Sequence, residues 1–348
     1  MNKLTKGIIL VLAIVMVLGV CLVGCKNSTP NTSGGTNPSG NTGGEKKEPI
    51  KVGLFLRTFA SNYYNATKVG AENGIKAWNE ANPDNQAELL PYDHNSDIQK
   101  ELNNVEDGVN QKIDVAVINP IDPQGSMNAI EILTEAKIIT VDIDGMANNS
   151  DLCQARIQSK NEDGGRLEME MLCKALNGKG NILMFCNSTN ANSEIRKNGA
   201  MEELKKWPDI NLLYTYDGEN TVEKSLDAMQ NFMQTFQAEG IDGVWAFSDS
   251  ISQGAASAVT GTALEGKTII CGLNGDLASL ELIKSGQQYG SVAQFPEFLG
   301  AEGVKMGLEL FLDPKAHTNE IVMVPMEWVD KTNVDEHITR WDTMAVKK

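Results

Sequence analysis

Several signatures of chemistry are missing from these 348 residues. No G-x-G-x-x-G follows a first strand, so a dinucleotide site is disfavoured. No G-x-x-x-x-G-K-[ST] occurs, and Asn177-Gly-Lys-Gly-Asn181 reads as a turn between helix and strand. No G-x-S-x-G elbow is present. Only three histidines exist, His94, His317 and His337, too scattered for H-x-x-x-H. A metal site or a Ser-His nucleophile therefore has no support. No C-x-x-C occurs, which argues against a redox or zinc-ribbon motif. Aromatics make up only 6% of the chain. Positive charge is scarce: the chain carries −16, and its first 48 residues hold five lysines and two glutamates, so residues 49–348 carry −19. A body this acidic is a poor partner for nucleic acid. Two carboxylates would suffice for glycoside hydrolysis, yet no pair stands out for that role, and no cofactor is implied.

What is present begins at the N-terminus. Lys3 and Lys6 precede an uncharged run, Ile8 to Gly24, closed by Leu22-Val23-Gly24-Cys25. The charge and apolar regions read as an export signal over residues 1–24. Gly24-Cys25 resembles a bacterial lipobox, which implies lipidation at Cys25 and a location on the outer face of the cell membrane. The alternative is an uncleaved anchor, but the run is at the short edge of the roughly 17–25 residues that span a bilayer. Residues 25–48 are rich in Gly, Ser, Thr, Asn and Pro. That composition predicts a flexible tether with a reach on the order of 25 Å.

The other 300 residues suffice for two domains. Cys153, Cys173, Cys186 and Cys271 lie in this part. In an exported protein they could pair. Their spacing gives no framework, and Cys186 and Cys271 sit within apolar runs that read as buried strands.

Strand and helix patterns alternate from Ile50 onward. Strands are expected at 50–56, 87–92, 115–118 and 137–143, with helices at 63–80, 98–111 and 124–136 between them. A second round follows, opening on a short extended segment at 156–158. Its helices are expected at 162–176, 193–206, 221–237, 252–260 and 277–284, and its strands at 181–186, 212–216, 244–247, 268–273 and 289–294. A helix at 296–311 and a strand at 321–324 close the pattern. Such alternation predicts an α/β fold with two similar doubly wound parallel sheets. Ligands bind such sheets outside the carboxyl ends of the strands, where polar and carboxylate residues gather here. Trp245 and Phe247 alternate on a strand and read as core; Trp328 and Trp341 read as packing residues in the tail.

Those strand ends carry a resemblance. LFLRTFASNYYNATKVGAENGIKA, VAVINPIDPQGSMNAIEILTEAKIITVDID, ICGLNG and GSVAQFPEFLGAEGV, with Asn119-Pro120 plus Asp122 and Gln294 before Pro296 as specific marks, resemble the ribose/galactose-type sugar-binding proteins of bacterial ABC importers. The similarity runs over 50–324. It implies the type I periplasmic-binding fold: two lobes, 49–158 plus 295–324 and 159–294 plus 325–348, joined by three crossings near Ser159, Gln294 and Pro325. It also implies a monomer that holds a monosaccharide or polyol between the lobes and docks on an ABC permease. The same fold could instead present its ligand to a membrane sensor kinase or chemoreceptor, and an extracellular carbohydrate-active enzyme is the reading from another class.

Carried over position by position, the ribose-type pocket falls on Arg57, Ser61, Tyr63, Tyr64, Asp142, Glu194, Asn220, Ser248, Asp249, Asn274 and Gln294. Carboxylates and amides suit neighbouring hydroxyls, and charge-assisted bonds are the strong ones. An aromatic ring suits the apolar face of a sugar. Departures are visible. Ile143 stands where the family pocket has arginine, Glu194 falls near a second arginine position, Asn274 replaces a carboxylate and Asn220 an aromatic. Two lost arginines argue against a ribose receptor, although Arg57, where a small residue is usual, could restore one fork of donors.

Overall fold

The computed structural model describes residues 47–344. The expected export signal, Cys25 and all but the end of the expected tether lie outside the described residues. Two six-stranded sheets organise the rest. The first takes β1 (Ile50–Leu56), β2 (Ala87–Asp93), β3 (Val115–Ile118), β4 (Ile139–Ile143), β5 (Ala155–Ser159) and β11 (Glu320–Val324). The second takes β6 (Lys179–Cys186), β7 (Asp209–Asp217), β8 (Gly243–Ala246), β9 (Ile269–Asn274), β10 (Gly290–Ala293) and β12 (Glu327–Val329).

Both sheets have the same order. The first runs β2-β1-β3-β4-β5-β11 and the second β7-β6-β8-β9-β10-β12. All pairs are parallel except β10 with β12, which is antiparallel. The central strands are near-continuous Val, Ile, Leu and Phe because helices cover both faces: Val115–Ile118 is buried at every position, as is Gly243–Ala246. The order reverses between β1 and β3, and again between β6 and β8, so each lobe has a switch point at the carboxyl edge of its sheet.

The chain passes between the lobes after Ser159, after Ala293 and between β11 and β12. Helices at the first two passages pack alike. Helix α9 (Pro296–Leu312) lies on α1 (Asn62–Ala81), and α4 (Asn161–Ala175) lies on α5 (Ala191–Leu204). Backbones touch at both contacts: a Cβ on Gly300 would fall 1.9 Å from the Thr67 carbonyl oxygen, and one on Gly165 1.9 Å from that of Arg196. Only glycine allows either approach.

Observed elements follow the expected pattern closely, with a short 3-10 turn added at Ser150–Leu152 and two further elements at the end. β12 and a helix α10 (Val334–Met344) occupy the tail. Trp341 is buried there, in an apolar cluster with Val334, Leu280, Ile283 and Ala66. Cys153, Cys173, Cys186 and Cys271 are buried free thiols; burial pushes the Cys153 thiol well up and those of Cys173 and Cys186 up to about 12. Trp245 and Phe247 belong to the core of the second lobe.

Candidate functional site

The carboxyl ends of the two sheets face each other across a polar cleft. Two adjoining cavities of about 300 and 330 Å³ fill it, sharing Arg57, Tyr64, Asp144, Asn190, Asn192 and Asn220. The first lobe contributes loops after β1, β2, β3 and β4. The second contributes loops after β6, β7, β8 and β9, and Gln294 comes from the passage between lobes. The lobes meet here, since the Asn192 amide donates to the Asp144 carbonyl oxygen at 3.4 Å. Larger cavities of about 600 and 550 Å³ lie on the flank of the second lobe and beside β11. Neither sits at a strand switch point, and neither draws on facing strand ends.

Of the eleven residues carried over from sequence, the structure brings eight together: Arg57, Ser61, Tyr63, Tyr64, Asn220, Ser248, Asn274 and Gln294 all line the cleft. Tyr63 is buried at the mouth of α1. Its hydroxyl donates to Asp144 Oδ1 at 2.8 Å and lies 3.3 Å from Gln294 Oε1. Burial, with Asp144 alongside, holds its pKa well above the ordinary tyrosine value. The ring of Tyr64 meets that of Tyr63 edge-on, 5.2 Å between centroids. Burial pushes its hydroxyl up to about 12. Arg57 donates to the Ile121 carbonyl, which fixes its guanidinium against the loop after β3. The Ser248 hydroxyl donates to Asn220 Oδ1. Gln294 donates to Asn274 Oδ1 at 2.7 Å, and its backbone N–H to the Asn274 carbonyl at 3.0 Å.

Three expected residues stand elsewhere: Asp142, Glu194 and Asp249 line neither cavity. Asp142 is inside β4, wholly buried. Successive strand residues face opposite sides of a sheet. Val141 and Ile143 turn to the core under α9, so Asp142 turns the other way, toward Cys153 and Ser150. Burial pushes its carboxyl up to about 8, against the pull of the Ser150 hydroxyl and Arg156. Asp144, one residue past the strand, occupies the cleft instead. Its backbone is left-handed, φ 60°. Asn119 Nδ2 lies 3.4 Å from its Oδ2. Burial raises its pKa, opposed by the Tyr63 hydroxyl and by Arg196 and Arg57.

Glu194 is in the first turn of α5, half exposed and paired with Lys197 at 2.6 Å. The helix begins at Ala191, capped by Asn190, whose side chain accepts from Ser193 N at 3.1 Å. That start turns Arg196 inward. Arg196 is buried, with Nε donating to Asn161 Oδ1 and Nη1 to the Phe247 carbonyl, both at 2.8 Å. Nη1 also reaches Asn274 Oδ1 at 3.4 Å. One arginine is therefore not lost from the cleft; it sits two residues beyond Glu194. Asp249 lies beneath the loop after β9. It accepts from Ser291 Oγ and from the Asp276 N–H, each at 2.7 Å. Asp276 is the residue of this pair that lines the cleft, and burial raises both carboxyls.

The carried-over set omits Asp144, Arg196, Asp276, Asn190 and Asn192, all of which line the cleft. The signals for two of them were on the page: VDID offers a second carboxylate, and NGD a carboxylate two residues past Asn274. No three-ligand His/Cys/Asp/Glu group suited to a metal occurs among the described residues. Nor is any helix among them long and apolar enough to cross a membrane.

Two doubly wound lobes of one topology, three passages between them and a polar cleft at facing strand ends define a bilobal binding protein of the type I periplasmic fold. The family model of the periplasmic binding protein domain matches residues 52–313, and the chain belongs to that family. Among curated proteins it is 24% identical over 282 residues to a xylitol-binding protein of Mycolicibacterium smegmatis, covering 80% of this chain and 77% of that one. It is 25% identical over 261 residues to a ribose import binding protein of Salmonella typhimurium, covering 73% and 82%. Among solved structures, an ABC transporter solute binding protein of Bacillus halodurans with bound myo-inositol superposes with a TM-score of 0.74 at 21% identity, covering 85% of this chain and 99% of that one.

Proposed function

We propose that this protein captures a small polyhydroxylated molecule, a monosaccharide, acyclic polyol or cyclitol, between its lobes and delivers it to an ABC permease without chemical turnover. One observation carries the reading: buried arginine, carboxylate, amide and tyrosine groups from both lobes converge on one space. The two cavities, of about 300 and 330 Å³, sit at the lower end of the roughly 300–1,000 Å³ usual for small-ligand pockets. That size suits one sugar-sized molecule rather than an oligosaccharide. Asp144 and Asp276 accept from hydroxyls, Arg57 and Arg196 donate, and the amides of Asn190, Asn192, Asn220, Asn274 and Gln294 do both. Tyr64 offers a face for C–H groups. The relatives named for xylitol and ribose agree in ligand class. The Cys25 lipid anchor, the extracytoplasmic location and a monomeric state belong to the same reading, since a diacylated cysteine supplies the two chains that stable membrane anchoring needs.

A thermal-shift and calorimetric panel of xylitol, D-ribose and myo-inositol tests it. A binding probe at about 100 times Kd should add about 2.7 kcal/mol of stability, and closure should lower the radius of gyration in solution scattering. Failure of every sugar, polyol and cyclitol to shift melting would overturn the ligand class. Changing Cys25→Ser should abolish lipid labelling and leave an unprocessed precursor.

A further inference from the structure

Helix α10 lies behind the cleft and lines none of it. Three of its residues, Val334, Ile338 and Trp341, fall on one helical face. They join Leu277, Leu280 and Ile283 of α8 (Leu277–Ser285) with Ala66 and Val69 of α1 in one apolar cluster. The helix thus touches both lobes, because α1 belongs to the first and α8 to the second.

Two neighbouring α10 side chains also reach the backbone of two separate cleft segments. Trp341 is buried, and its Nε1–H donates to the Gly275 carbonyl oxygen at 2.7 Å. Gly275 lies between Asn274 and Asp276, both in the cleft. This turn needs holding. Asn274 has φ 147° and Gly275 φ 70°, conformations most residues avoid. A Cβ on Gly275 would fall 2.7 Å from the Ala293 Cβ. The next side chain, Arg340, donates through Nη2 to the Gln294 carbonyl oxygen at 3.0 Å. Its guanidinium lies 4.6 Å from the centroid of the Phe295 ring and 3.6 Å from Glu297 Oε1 at the start of α9. Gln294 in turn donates to Asn274 Oδ1 and faces Tyr63.

We infer that α10 is a strap behind the cleft, and that Trp341 and Arg340 are positioning residues that set the backbone from which Asn274, Asp276 and Gln294 reach the ligand. The inference rests on the proposed cleft, so its test begins without any ligand. Side chains that touch a ligand can be held within a few tenths of an ångström only if their own supports are fixed. Here a single helix supplies those supports for two segments far apart in sequence, while its apolar face keeps it seated against both lobes. Removing either contact should therefore loosen the segment it holds and leave the rest of the second lobe alone.

Trp341→Phe keeps a ring and removes the donor; Arg340→Met keeps the stem and removes the fork. Hydrogen exchange on the ligand-free protein is the first measurement. Trp341→Phe should speed exchange about tenfold or more at 274–277, and Arg340→Met at 294–298, with β8 and α5 unchanged. Wild-type exchange at those segments would overturn the strap, and so would a uniform rise across the whole lobe. The second measurement is binding of xylitol, D-ribose and myo-inositol. For whichever binds the parent protein, each variant should show a five- to twentyfold faster dissociation with an unchanged fraction of binding-competent molecules. A lower competent fraction with unchanged Kd would mean that α10 serves folding alone, and would overturn the positioning role. If none of the three probes binds the parent, the cleft reading falls, and the exchange result still decides the strap.

Discussion

The two lobes share one strand order and one way of seating a helix at each passage, yet they equip the cleft differently. The first lobe presents an aromatic corner. Tyr63 and Tyr64 meet edge-on, with Asp144 beside them and Arg57 held by a backbone carbonyl. The second lobe has Asn220 and Ser248 opposite, bonded to each other, and the aromatic residue it brings to the cleft wall, Phe247, is packed into its core. Beneath its polar surface lie buried ionisable groups: Arg196, Glu168, Asp249 and, at the surface of the cleft, Asp276. Burial holds the Glu168 carboxyl well above its ordinary value and raises Asp249 and Asp276. Arg196 is pushed the opposite way by the same burial. A common topology therefore fixes where a ligand goes, while the residues at the strand ends decide what each side contributes. Under the proposed function the first lobe supplies a surface for C–H groups, and the second supplies a fixed array of donors and acceptors.

The sharpest way to break this contrast is at Arg196. Its guanidinium ties α4, through Asn161, to the end of β8, through Phe247. Arg196→Met would leave both acceptors unsatisfied in a buried place, and each such group costs about 1–3 kcal/mol. A stability loss of about 3 kcal/mol is expected in denaturant unfolding, together with loss of binding. The matching change in the first lobe, Arg57→Met, should cost less stability, because Arg57 donates to one carbonyl. Equal losses would erase the distinction between the lobes.

The next effect separates two carboxylates of one strand end. Asp144→Ala should weaken binding by about 1.5–3 kcal/mol, roughly 10–150-fold in Kd, measured by calorimetric titration. Asp142→Asn should leave Kd unchanged and act on stability instead. Asp142 is protonated in the folded protein up to about pH 8 and ionises near pH 3.9 when unfolded. The folded state therefore holds the extra proton between about pH 4 and 8. Stability from this group falls as pH rises through that window and is lowest above it. Asn mimics the neutral acid, so the variant's advantage in melting temperature should grow from pH 4 to pH 8. The advantage should be largest at the upper end of that window. A constant difference across pH, or a loss of affinity, would return Asp142 to the cleft.

That pair also shows what the sequence could and could not disclose. The alternation of apolar runs with helical stretches made both lobes legible, down to the passage near Gln294. The lining of the candidate cleft was legible where a residue follows a strand or opens a helix, as Arg57, Tyr63, Ser248 and Gln294 do. It failed where the answer hung on one residue of register. VDID carries two carboxylates, and which of them clears the sheet depends on where β4 stops. At α5, an expected start at Ser193 instead of Ala191 hid the inward turn of Arg196. The tail was missed for another reason. β12 has three residues, and α10 sets Val334, Ile338 and Trp341 among mostly charged and polar neighbours. Their i, i+4, i+7 spacing was nonetheless a readable helix signal.

The smallest expected effect probes the aromatic corner itself. Tyr63 is locked by its bonds to Asp144 and its closeness to Gln294, so its replacement would disturb several groups at once. Tyr64 is the cleaner probe: it lines both cavities and makes its ring contact with Tyr63 alone among aromatics. Its hydroxyl, pushed up to about 12, stays neutral at every pH where the protein would be assayed, so no charge is lost with it. Tyr64→Leu keeps apolar bulk and removes the flat face. An aromatic contact is worth about 0.5–1.5 kcal/mol beyond the area it buries, which is roughly a two- to twelvefold rise in Kd. A cyclic probe such as D-ribose, with a continuous C–H face, should suffer more than xylitol, whose carbons can turn away from the ring. Equal losses for the two would mean that Tyr64 fills space without stacking. No loss for either would leave the first lobe's aromatic corner as packing, and both lobes would then recognise hydroxyls by the same means.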